Sequence, residues 1–107
     1  VKTILLDENL PVALRHSLTE FEVVTVQFQG WSGKQNGELI SLIDGKFDVF
    51  LTGDKNLRYQ QKIDTRSIAI VEVPFTRLDS LNPYLEEIKA AIRSATTGQY
   101  IQIRASS

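Results

Sequence analysis

A chain of 107 residues with 42% hydrophobic content has room for one core and is read as one domain, 1–107, burying roughly two-thirds of its unfolded surface. Its lack of cysteine excludes disulfides, thiolate catalysis and cysteine-held zinc or iron–sulfur centres, and its single histidine, His16, excludes a histidine-rich metal site within one chain. Any metal must then rest on carboxylates, amides, carbonyls and water, which favours Mg²⁺ or Mn²⁺, and the formal charge of −1 gives no overall attraction to nucleic acid.

Thr3-Ile4-Leu5-Leu6 runs without a polar break, as a strand covered on both faces does. It ends in Asp7-Glu8, then Asn9, which is suited to a helix cap, and Pro11, which is suited to a first turn. The spacing predicts a helix over 10–18 with Leu10, Ala13, Leu14 and Leu18 on its packed side, leaving His16 off that stripe. A short strand follows over 22–26. The stretch 27–36 is a loop with two glycines, where Trp31 either stacks on a base or covers the rim of the core.

Residues 36–45 read as a second helix, capped by Asn36, buried through Leu39, Ile40 and Ile43, and closed by Gly45. Glu38 lies in its first turn, where the helix dipole favours a carboxylate; the other reading points it across the sheet edge towards Asp7 and Asp54. Residues 47–52 form the third strand. Asp48 sits at its beginning and Asp54 just past its end, so Asp54 either caps a short helix from Lys55 or joins Asp7 in a site. Lys55, Arg58, Lys62 and Arg66 stand against one acid, Asp64, in a stretch that is either a solvated face or a phosphate-holding patch.

Residues 67–73 form a fourth strand closed by Pro74, and 75–81 read as a connection. Asn82 and Pro83 open a helix striped by Leu85, Ile88, Ala91, Ile92 and Ala95, with acids early, bases late and Gly98 at its end. Tyr100 to Arg104 alternates as an edge strand does. The four earlier strands are expected to be mutually parallel, with the first and third adjacent. Neither a membrane-spanning apolar run nor a basic-then-apolar leader is present, and the expectation is a cytoplasmic protein without membrane contact.

Leu5-Leu6-Asp7-Glu8-Asn9-Leu10-Pro11, Asn36-Gly37-Glu38-Leu39-Ile40 and Phe47 to Leu57 with its Leu-Thr-Gly-Asp-Lys-Asn-Leu resemble the small bacterial PIN-like proteins of the DUF5615 group, which are related to toxin nucleases of toxin–antitoxin pairs. The resemblance covers the chain to about Val73 and, more loosely, the terminal helix and strand. It implies a three-layer α/β/α fold with a mainly parallel sheet and Mg²⁺- or Mn²⁺-dependent hydrolysis of RNA. It implies Asp7, Glu38 and Asp54 as catalytic and metal-holding acids, with Asn36 and Asn56 as further ligands where relatives carry Asp. Thr52, Lys55, Arg58 and Lys62 are then the groups that orient and hold RNA. An antitoxin protein and a second copy of the chain are the other partners it suggests. The rival reading is a PIN-like protein-binding module with weak or no catalysis, touching its partner through the strand near Tyr100 and the loop around Trp31. Asp7-Glu8 and Asp54 also imitate the acids of a receiver domain, but this chain continues after Val71 as Glu72-Val73-Pro74, without the Lys a receiver needs there.

Overall fold

The computed structural model describes residues 2–34, 36–43, 45–57 and 68–105, with Asn36 and Gly37 described in their backbone alone. Five strands, β1 (Thr3–Leu6), β2 (Glu22–Thr25), β3 (Val49–Thr52), β4 (Ala69–Glu72) and β5 (Tyr100–Gln102), form one sheet in the order β2-β1-β3-β4-β5. All four pairings are parallel, and β1 and β3 are neighbours, as the apolar runs predict.

Helices cover both faces, which is why β3 and β4 are buried along their whole length. Because strand side chains alternate, Ile4, Leu6, Val49, Leu51, Ala69 and Val71 enter one half of the core, and Leu5, Phe50 and Ile70 enter the other. On the first face lie a 3₁₀ helix, Val12–Ser17, which buries Leu14, and a helical run made of α2 (Leu78–Leu81), a 3₁₀ turn (Asn82–Tyr84) and α3 (Leu85–Ser94). On the second lies α1 (Asn36–Ile43), contributing Leu39, Ile40 and Ile43. The result is an α/β/α sandwich.

Several local expectations are corrected. The first helix is a short 3₁₀ segment in which Ala13 is exposed, and Pro11 rather than Asn9 occupies its cap position. Asn9 is instead drawn across to β3, where its Oδ1 accepts the Gly53 N–H at 3.3 Å. Val26 lies beyond β2, though its N–H still reaches Leu6 O at 3.0 Å. The predicted connection 75–81 ends in α2, so Asn82 continues a helical run instead of capping one. Gly98 lies past the end of α3 and turns the chain into β5 at φ 81°.

α3 is tied down at its end by a residue far away in sequence. The Lys2 ammonium donates to Ile92 O (2.8 Å), Arg93 O (3.0 Å) and Ala95 O (2.7 Å), filling carbonyls that a helix C-terminus leaves without partners. Lys2→Met is expected to lower stability by about 1–2 kcal/mol in urea unfolding, with m unchanged.

Candidate functional site

The strand order places a switch point between β1 and β3: the chain winds outward from β1 to β2 on one side and from β3 to β5 on the other. In open parallel sheets ligands bind in the crevice outside the carboxyl ends at such a point. Asp7 follows β1 there, and Thr52, Gly53 and Asp54 end and follow β3.

Asp7 is buried, with 6% of its surface exposed, and its N–H carries the ladder one step further by donating to Leu51 O at 2.9 Å. Both carboxylate oxygens are engaged. Oδ1 accepts the Glu8 N–H at 2.7 Å, and Oδ2 accepts the fully buried Thr52 hydroxyl at 2.6 Å. The same Thr52 oxygen accepts the Asp54 N–H at 3.0 Å. Thr52 thus links the two strand ends. Burial pushes the Asp7 carboxyl above its ordinary value; the bonds from Thr52 and Glu8 oppose this, while the negative charges of Glu8 and Asp54 add to it.

Asp54 is half-buried and does cap the following turn, its Oδ1 accepting the Asn56 N–H at 2.9 Å. Gly53 between Thr52 and Asp54 is closely packed: a Cβ there would meet Thr76 Cγ2 at 2.8 Å and Leu10 Cδ2 at 3.3 Å, so a side chain would have to displace Thr76. Lys55 and Asn56 are exposed on the same edge.

Glu38 stands apart. Its side chain is 56% exposed and pairs with Lys34 one turn earlier at 3.1 Å. Among the described residues no three Asp, Glu or His side chains form a group that could hold a metal ion, so the three-acid convergence of Asp7, Glu38 and Asp54 is not assembled. Glu38 lies instead on the exposed side of α1, paired with an ammonium on its own stretch of chain. Arg58 and Lys62 lie outside the described residues, as does the side chain of Asn36. Glu8 points away from the edge into the 27–34 loop, accepting Ser32 Oγ (2.6 Å) and the Gly33 N–H (2.9 Å), bonds that hold its carboxyl below the ordinary value. Trp31 takes the packing role, edge-on to Phe47 with ring centroids 6.4 Å apart and under the Lys46 ammonium at 5.8 Å. His16 is exposed.

One polar group escaped the sequence reading. Glu72 pairs in register with Thr52 on one side and Gln102 on the other, and Asp7 lies one residue beyond the Leu6–Leu51 pair. Asp7, Thr52, Glu72 and Gln102 therefore form one polar row across four strands, directly above the apolar row Leu5, Phe50, Ile70 and Tyr100 on the same face. Glu72 is 1% exposed and its oxygens accept Tyr100 Oη (2.6 Å) and Gln102 Nε2 (3.0 Å). An acid ending an otherwise apolar strand, with a polar residue closing the next strand, was the signal available.

Mg²⁺ usually takes one or two carboxylates and keeps several waters, and Asp7 and Asp54 are the acids at this edge that could hold one. Among the described residues no helix is long and apolar enough to cross a membrane. No match to the chain was found among protein-family models, curated proteins or solved structures.

Proposed function

We propose that this chain is a PIN-like domain that hydrolyses RNA phosphodiester bonds with Mg²⁺ or Mn²⁺ held at Asp7 and Asp54, in the manner of a toxin nuclease countered by a protein partner. The observation that carries the reading is a carboxylate buried at the switch point whose proton affinity is raised by burial and by a neighbouring acid. Such an arrangement is costly for the bare chain and is relieved by a cation. When bound, the ion lowers the pKa of a water and offsets charge growing on the phosphate. The chain's own part is positional. Thr52 and the Glu8 N–H fix both Asp7 oxygens, the Asn56 N–H fixes Asp54 Oδ1, and Lys55 on the adjoining turn attracts the phosphate backbone without reading sequence.

The rival, a binding module without catalysis, is favoured by a different surface from the one expected. Tyr100 is bonded inward to Glu72 and Trp31 packs on the core, but an apolar groove of about 400 Å³ runs beside β2, lined by Val12, Val23 and a Phe28 that is 84% exposed.

Melting curves with and without Mn²⁺ separate the two. An ion at ten times its Kd adds about 1.4 kcal/mol, roughly 6–10 °C for a domain of this size. The proposal expects that shift together with cleavage of a mixed-sequence RNA. Neither shift nor cleavage at millimolar Mn²⁺ would leave the binding module as the reading.

A further inference from the structure

The polar row does not end at the acids. Beyond β4 it opens into a pocket of about 360 Å³ lined by Lys55, Glu72, Phe75, Gln102, Ile103 and Arg104, with Pro74 and Ala105 completing the wall. We infer that this pocket is a subsite for one nucleotide unit of the single strand whose backbone crosses the acidic pair, with its phosphate between Lys55 and Arg104 and its base against Phe75.

Three features select that ligand. The two cations are both exposed and arrive from different strands, Lys55 after β3 and Arg104 after β5, so they bracket the opening instead of lying side by side along one strand. Among the described residues no acid lines the pocket except Glu72, and Glu72 is buried. Phosphate therefore belongs at the rim, and the floor repels it. The apolar wall is a ring: Phe75 is 37% exposed and packs against Tyr84, with centroids 5.8 Å apart and the rings tilted by 50°, which limits its motion and leaves aromatic surface for stacking.

The floor completes the choice. Each Glu72 oxygen accepts one bond, from Tyr100 and from Gln102, and at 1% exposure the carboxylate itself is closed to a ligand. The half-buried Gln102 side chain beside it is the polar group of the floor that a base edge meets. A bare anion satisfies the rim alone, and an apolar ligand leaves the floor unmet. Location agrees as well. β4 is one strand spacing, about 4.8 Å, from β3, so the pocket adjoins Thr52 and Asp54 on the same sheet edge, with Lys55 directly following Asp54 in the chain.

This inference rests on the nucleic-acid reading of the acidic pair, and binding tests it apart from hydrolysis. Wild-type protein in EDTA is titrated with a labelled mixed-sequence RNA hexamer, with adenosine 5′-monophosphate and with inorganic phosphate, alongside Phe75→Ala and Arg104→Ala. Loss of the stacking ring is expected to weaken the hexamer about tenfold with little change in salt dependence. Loss of Arg104 is expected to flatten the slope of log K on log salt by about 0.7. Adenosine monophosphate should bind more tightly than phosphate and should compete with the hexamer. Hexamer affinities and salt slopes unchanged in both variants would overturn the subsite, and so would phosphate binding as tightly as the nucleotide. Arg104 is exposed, so its variant remains informative even if Phe75→Ala weakens the fold. Binding that depends on both residues, without cleavage in Mn²⁺, keeps the subsite and removes hydrolysis. Cleavage in Mn²⁺ with KM unchanged in both variants keeps hydrolysis and removes the subsite.

Discussion

Asp7→Asn is expected to abolish both the Mn²⁺-induced rise in melting temperature and the cleavage of RNA, while leaving the metal-free protein at least as stable as wild type at neutral pH. The substitution keeps the shape of the side chain and the bond from Glu8. An Asn side chain can accept the Glu8 N–H through its oxygen, but its amide can only donate to Thr52 Oγ, so that bond is reversed and the Thr52 hydroxyl hydrogen gives up its acceptor, a cost set against the loss of the buried charge. What it removes is a buried charge facing Glu8 and Asp54. The pH dependence gives the expectation a direction. Asp7 has a folded pKa above its ordinary 3.8, so the folded state holds a proton that the unfolded state has released. Its contribution to stability is full below 3.8 and is lost as pH rises through the raised folded value. Asp7→Asn should erase that decline. Urea unfolding of both proteins between pH 3 and pH 8 measures it, and a difference that does not change over this range would show that Asp7 titrates as an ordinary surface acid.

Thr52→Val carries the second large effect. The two side chains are nearly the same shape, so packing is retained in a residue that is fully buried. The lost hydroxyl, however, serves two partners at once: it donates to Asp7 Oδ2 and accepts from the Asp54 N–H. A buried oxygen and a part-buried N–H are left without a partner, at about 2–3 kcal/mol together, or roughly 10–20 °C in melting temperature. Since the Thr52 bond is the main influence opposing the rise in the Asp7 pKa, that pKa should climb further in the variant, as a carboxyl ¹³C titration would read. Thr52→Ser keeps the hydroxyl and loses one methyl, so it should cost about 1 kcal/mol and leave the Asp7 titration where it was. If Ser and Val behave alike, the hydroxyl does not link the strand ends.

The sheet was legible in the amino-acid sequence because each central strand announces its surroundings. Val49-Phe50-Leu51 and Ala69-Ile70-Val71 have no polar break, which only a strand covered on both faces tolerates, and that condition requires helices between parallel strands. From that followed the placing of Asp7 and Asp54 on one edge, since both end strands of the same direction. The stripe of Leu85, Ile88 and Ile92 was equally local in origin. Other features depend on partners that no window of sequence contains. Asn9 has the composition of a cap, yet its side chain bonds to Gly53, 44 residues away. Glu38 is a different case: its partner, Lys34, stands only four residues earlier, and what sequence could not give was whether Glu38 reaches Asp7 and Asp54 across the sheet edge. Glu72 became part of a polar row because register, set by backbone pairing with β3 and β5, put it opposite Thr52 and Gln102. Periodicity reports which face of an element is dry. Which polar side chains meet at the end of a sheet is fixed by strand order and register, and those are settled by packing the whole chain at once.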